Sequence, residues 1–207
     1  MPWHSSLCRW PLHHRHELRH QDKERKEKQP DTMRYFSVIL LSTLLTLVNC
    51  QADKIVQALN TTQSQVQTLD SMVAAFKGDL LAAVKIQQQA LVIGRQIETT
   101  TEIVEATPSL NDTTSLEVAT SVLTLVPFVE TLLKRIQDKK PVFQSVVIGL
   151  FDVTAQVTQI LTKQKTATLA LGNSIATKLT GAFKTAAPAI IDKLEADFNR
   201  VIADYGS

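Results

Sequence analysis

Ile55, Leu59, Val66, Leu69, Val73 and Phe76 recur at intervals of three, four or seven residues, the spacing that stacks side chains on one face of an α-helix. Gly78 interrupts this stripe, and Asp79 is placed to cap a second helix carrying Leu80, Leu81, Val84, Leu91, Ile97 and Val104. Pro108 closes that helix, and Asn111-Asp112-Thr113-Thr114 supplies turn and cap chemistry for the next. The third stripe is the most regular: Val118, Val122, Leu125, Val129, Leu132 and Ile136 are spaced 4, 3, 4, 3 and 4. Leu116, Leu123, Val126 and Leu133 widen it, which predicts contacts on more than one side. Pro127 lies inside the pattern and predicts a kink, since it removes one backbone hydrogen bond.

Lys139-Lys140-Pro141 predicts the end of the third helix, with Pro141 in the first turn of a fourth. The fourth helix uses Val146, Leu150, Val153, Val157 and Ile160 and extends toward Leu171 and Ile175, weakened by Gly172 and Gly181. Pro188 is expected to open a fifth, with Ile191, Leu194, Phe198, Val201 and Tyr205 on one side. The expectation is an all-α fold, an antiparallel bundle of about five amphipathic helices.

A different pattern precedes this. Met33-Arg34 is followed by the 14-residue apolar run Tyr35 to Val48 and then Asn49-Cys50-Gln51-Ala52. A basic start, a short apolar core and small or neutral flanking residues describe a secretory signal peptide. The run is too short for a spanning helix, which needs about 20 residues, so no transmembrane segment is expected. The reading divides the chain into a polar extension at 1–32 with disorder as its default, a signal peptide at 33–50, and a mature domain at 51–207. Translation is expected to start at Met33.

Composition matters once the chain is divided this way. All five histidines, both tryptophans and Cys8 lie in the first twenty positions. From Gln51 onward there are 14 Lys+Arg against 15 Asp+Glu and no His, Cys or Trp. That excludes Ser-His-Asp and Cys-His catalysis and the commonest zinc sites. The near-zero charge lacks the basic footprint of a nucleic-acid binder. No metal, cofactor or nucleic-acid partner is expected. Asn60-Thr61-Thr62 and Asn111-Asp112-Thr113 are glycosylation sequons, consistent with a secreted, extracellular or cell-wall-associated protein.

Gly78-Asp79-Leu80-Leu81-Ala82-Ala83, Lys139-Lys140-Pro141-Val142-Phe143 and the ending Phe198-Asn199-Arg200-Val201-Ile202-Ala203-Asp204-Tyr205 together resemble the fungal hydrophobic surface-binding protein A and cell-wall galactomannoprotein (antigenic mannoprotein) family. The resemblance covers Gln51 to Ser207. It implies an extracellular helical domain that attaches to hydrophobic surfaces, recruits secreted polyester-degrading hydrolases, or encloses fatty acids between its helices. The chain departs from the mannoproteins in lacking a Ser/Thr-rich stalk.

An amphipathic bundle needs apolar seams merely to fold, so lipid binding requires seams that are incompletely filled. Many β-branched and small residues with few aromatics favour such a void, which accepts an acyl chain when dry. The expected lining is Leu69, Val73, Val84, Leu91, Val122, Leu125, Val129, Val146, Leu150, Val153, Val157, Leu194 and Phe198, because a central cavity must be bordered midway along each helix. Thr120, Thr124, Thr154 and Thr158 are candidates for a lipid headgroup, with back-bonding to their own helix as the alternative. A bundle that opens at an interface would bury the same apolar area on a hydrophobic surface. The competing class is a structural cell-wall mannoprotein or adhesin acting through its glycans. Glu98, Glu102 and Glu105 share a helix face, and grouped carboxylates can do acid–base work or bind a cation; a solvated acidic face is the expectation here, and no catalysis is expected from them.

Overall fold

A computed structural model describes residues 31–146 and 153–206. The chain divides into a unit Met1–Thr46 and a unit Leu47–Ser207, and the second holds the bundle. The described helices are α1 (Asp31–Ala75), α2 (Leu80–Ala106), α3 (Asp112–Asp138), α4 (Lys140–Gln144), α5 (Val153–Lys178) and α6 (Gly181–Gly206). The helical reading therefore holds, with five long helices and one short one among the described residues. The expected extension at 1–32 lies almost wholly outside them.

Local chemistry sets the boundaries. Gly78 turns the chain after α1 with φ of 97°, a conformation open to glycine. Asp79 then caps α2, its carboxylate accepting from the Ala82 amide at 2.8 Å. α2 ends before Pro108. Asn111 caps α3 reciprocally: its Oδ1 accepts from the Thr114 amide at 2.9 Å, and Thr114 Oγ1 accepts from the Asn111 amide at 3.0 Å. Pro127 sits inside α3, as its stripe predicts.

Two boundaries correct the sequence reading. Pro141 opens a helix, but α4 ends after five residues and leaves Val146 outside it; α5 is described from Val153 onward. The C-terminal helix begins at Gly181, whose φ is 56°, and Pro188 lies within it, not at its start. Gly172 does not weaken α5 into a break. It lets α6 approach, because a Cβ there would come within 3.1 Å of Ile191 Cγ1.

Pairings between elements order the long helices into a ring. α2 packs on α5, α5 on α6, and α6 on α3. α1 closes the circle: Gln89 Nε2 donates to the Gln65 carbonyl at 3.4 Å, and Arg135 pairs with Asp70 at 2.5 Å. Successive long helices alternate in direction, as expected of an antiparallel bundle. In space, three neighbouring pairs run parallel. Asp70 meets Arg135 and Phe76 meets Lys139 along α1 and α3. Ser115 meets Thr180 and Ile136 meets Tyr205 along α3 and α6. Ala90 meets Gln164 and Glu105 meets Lys178 along α2 and α5.

Contacts tie the helices together at both ends of the ring. At one end Phe76, Phe143 and Tyr205 form an aromatic plug, with ring centroids 4.6 and 6.4 Å apart. At the other, the Leu110 amide donates to the Lys178 carbonyl at 2.9 Å, and Thr180 Oγ1 donates to Asp112 at 2.7 Å.

Candidate functional site

The five stripe residues within α1 and Phe76 just beyond its end are all buried. They form one wall of an interior that is not completely filled. A central cavity of about 100 Å³ is bordered by every long helix: Val66 and Leu69 from α1, Ile93 and Ile97 from α2, Leu125, Val129 and Leu133 from α3, Leu161 and Gln164 from α5, and Phe198 from α6. A second lobe of about 70 Å³ lies toward the aromatic plug, among Val73, Val84, Phe143, Val153 and Val157. The two lobes share Leu69, Ala90, Ile136, Ile160 and Leu161 as a waist. A third cavity of about 300 Å³ lies between α3, α5 and α6 toward the opposite end, lined by Val122, Leu123, Gly172, Ala186, Ile190 and Leu194 among others.

The third cavity owes its volume to small side chains. Ala182, Ala186 and Ala187 of α6 and Gly172 of α5 leave the volume that larger residues would fill. The Glu130–Lys193 ion pair sets α3 and α6 in register, bringing Pro127 and Pro188 to nearly the same level. Each removes a backbone hydrogen bond from its own helix. Leu123 lines the cavity while remaining 54% exposed, so its mouth is open.

Ten of the thirteen expected lining residues border one of these spaces, but not a single one. Leu69, Leu125, Val129 and Phe198 face the central lobe. Val73, Val84, Val153 and Val157 face the lobe by the plug, Val84 at its rim with 38% exposure. Val122 and Leu194 face the third cavity. Val146 is buried and borders none of the three. Leu150 lies outside the described residues. Leu91 is a correction: it is 44% exposed and turned outward. The inward stripe of α2 is Ile86, Ala90, Ile93, Ile97, Thr100 and Val104, spaced 4, 3, 4, 3 and 4. Leu91 stands two residues from Ile93, about 160° around the helix. Bulk misled the sequence reading, because Ala90 and Thr100 are less conspicuous than the leucines of the outer stripe.

The polar candidates change as well. Thr120, Thr124 and Thr158 donate to the carbonyls four residues earlier in their own helices, at 2.7, 2.8 and 2.9 Å. They border none of the three cavities, and neither does Thr154. The polar residues that line the central lobe are Thr62, Gln164 and Thr168, and Gln164 is the one that crosses to a neighbouring helix. Its Nε2 donates to the Ala90 carbonyl of α2 at 2.7 Å, and its Oε1 is buried without a hydrogen-bond partner. The sequence signal was present, a glutamine one turn from Leu161 and Thr168 on an apolar face, but was eclipsed by the threonines.

Glu98, Glu102 and Glu105 are all exposed on the outer side of α2. No cluster of three or more His, Cys, Asp or Glu side chains suits a metal ion among the described residues. Asn60 and Asn111, the two sequon asparagines, are exposed. Among the described residues, α3 is long and apolar enough to cross a bilayer, which the sequence reading did not anticipate. Here its apolar residues serve the bundle: Val118, Ala119, Leu132 and Leu133 are buried, while Leu116 and Leu123 remain on the surface.

The sequence pattern of the family described as hydrophobic surface binding protein A matches residues 52–177. The chain belongs to the hydrophobic surface-binding protein A family. No curated protein matches it. Solved structures resemble it in fold. Afmp4p in complex with palmitic acid superposes with a TM-score of 0.70 at 27% identity, covering 74% of this chain and 99% of that one. Ligand-binding domain 1 of the Penicillium marneffei MP1 protein, complexed with arachidonic acids, gives 0.66 at 16% identity, over 72% of this chain and 94% of that one. Ligand-binding domain 2 of the same protein, with multiple arachidonic acids, gives 0.64 at 14% identity, over 76% and 96%. This member of the hydrophobic surface-binding family thus shares its helical ring with proteins solved around fatty acids.

Proposed function

We propose that the chain is a non-catalytic binder of fatty acids or related single-chain lipids, held in the apolar space inside the helical ring. The observation that carries this reading is the central cavity walled by all five long helices and continuous in lining with a second lobe. An apolar void near 150 Å³ stays dry and accepts an apolar guest. The lobes described here reach that order together, and the third cavity exceeds it. Fatty acids in the structures of Afmp4p and the MP1 domains support the same ligand class. The family match starts at residue 52, which supports a mature secreted domain beginning near Gln51 after removal of 33–50. Recruitment of secreted hydrolases is carried by the family resemblance.

A specific observation favours a second route. Leu80, Leu81 and Leu91 on α2 and Leu116 and Leu123 on α3 are exposed, so apolar area is available to a hydrophobic surface without opening the bundle.

The test is binding of palmitic acid to protein purified without detergent, after lipid extraction. Leu125→Trp fills the central lobe and Val153→Trp the lobe by the plug. Each is expected to weaken binding at least tenfold at unchanged helicity, about 1.4 kcal/mol. Unchanged affinity in both overturns the location. A preparation that carries no lipid and takes up none overturns the function. Binding is also expected to survive enzymatic deglycosylation, which a protein acting through its glycans would not show.

A further inference from the structure

The walls of the central lobe are almost entirely hydrocarbon, and its polar members have unequal standing. They are Thr62, Gln164 and Thr168; Thr62 is back-bonded, its hydroxyl donating to the Ala58 carbonyl at 2.9 Å, and Thr168 offers a hydroxyl that both donates and accepts. Gln164 differs. Its carboxamide crosses from α5 to α2, and the Nε2 bond to the Ala90 carbonyl fixes which way the amide faces. Reversing the amide would set Oε1 against that carbonyl oxygen, so the group left over is an acceptor, not a donor. That acceptor is buried and unpaired.

The arrangement has a supporting element on the facing helix. Gly94 lies one turn beyond Ala90, and a Cβ at that position would come within 3.0 Å of Gln164 Nε2. The absence of a side chain there gives the carboxamide its path to Ala90. A buried acceptor without a partner costs about 1–3 kcal/mol, a cost that a ligand donor removes.

Resting on the lipid-cavity reading above, we propose that Gln164 is the specificity-determining polar anchor of the central lobe, selecting chains whose polar end carries a hydrogen-bond donor. The class is a long-chain alcohol or an un-ionised fatty acid. A capped ether or ester offers no donor and leaves Oε1 unpaired, as does an ionised carboxylate. Gly94 acts as a positioning residue through Gln164.

The experiment measures affinities of the full chain for 1-dodecanol and its methyl ether, with palmitic acid at acid and neutral pH as a further arm. Gln164→Met keeps the volume and removes the acceptor; Gly94→Ala leaves the acceptor in the chain but displaces it. Both are expected to lower the alcohol-to-ether affinity ratio about tenfold, with ether affinity within about twofold of wild type. For palmitic acid the variants are expected to bind more weakly only at the pH where its carboxyl is protonated, which separates the acid from the alcohol as donor. An unchanged ratio in both variants, with both ligands bound, overturns the role of Gln164 and leaves the cavity reading standing. If wild-type protein binds neither ligand, the cavity reading falls and the anchor with it.

Discussion

Leu91 and Ile93 are two residues apart and have opposite fates. Leu91 projects from the outer side of α2, while Ile93 is buried against the central lobe. Leu91→Gln is expected to change stability by no more than about 0.5 kcal/mol, as at most exposed sites. Ile93→Ala is expected to cost about 2–5 kcal/mol through lost burial and an enlarged void. Urea unfolding of the two variants checks this; similar losses would restore the sequence-based orientation of α2. The ambiguity was built into the residues. α2 carries two apolar stripes, one of large leucines and one that includes Ala90 and Thr100, and side-chain size does not say which stripe meets a neighbour. Gln164 was hidden for a related reason: a glutamine on an apolar face has meaning only once Gly94 and Ala90 are opposite it.

At the scale of elements, boundaries with their own chemistry were legible. Asp79, Asn111 and Pro108 mark helix ends by local hydrogen bonding and sterics, and the structure uses them as read. Asn111→Ala removes the side-chain acceptor of the α3 capping box, leaving the residue-111 amide still able to donate to Thr114 Oγ1, and is expected to cost about 1 kcal/mol. Asn111→Asp removes the sequon but preserves the acceptor, and also sets a negative charge at the helix start. It is expected to remain near wild-type stability. Thermal melts of the two variants separate capping from loss of a glycan; equal destabilisation would argue for the glycan. Pro188 was less legible than Pro127, whose place inside α3 the stripe predicts. Pro127 and Pro188 both sit inside helices, yet a proline pattern alone fits either a helix start or a kink. Gly181, with its positive φ, decides the matter for α6.

Across the whole molecule, the ring is tied together where α6 ends against α3. Tyr205 is buried in the aromatic plug and its hydroxyl donates to the Ile136 carbonyl at 2.7 Å. Burial, with the Asp204 carboxylate adding to it, pushes the phenol well above its ordinary value. The folded state therefore favours the neutral phenol. Its contribution to stability is fully present below about pH 10 and is lost as pH rises beyond that, where the unfolded chain ionises first. At pH 11 the loss from this group is about 1.4 kcal/mol. Tyr205→Phe is expected to be about 1 kcal/mol less stable than wild type at pH 7, with the gap closing near pH 11. Denaturant unfolding at both pH values measures it, and a gap independent of pH would overturn the assignment.

Periodicity and caps determined by themselves that this chain builds long amphipathic helices, and composition that they carry no His, Cys or Trp after Gln51. Those properties reside in short stretches of chain, where each residue answers to its neighbours within a few positions. The order of the helices around the ring, the parallel pairings within it, the inward stripe of α2 and the placement of Gln164 were decided only by tertiary packing. An apolar stripe is satisfied by any partner that removes it from water, so it fixes a face but not a neighbour. The cavities follow the same logic: an unfilled volume belongs to the summed side chains of several helices, and no one of them encodes it.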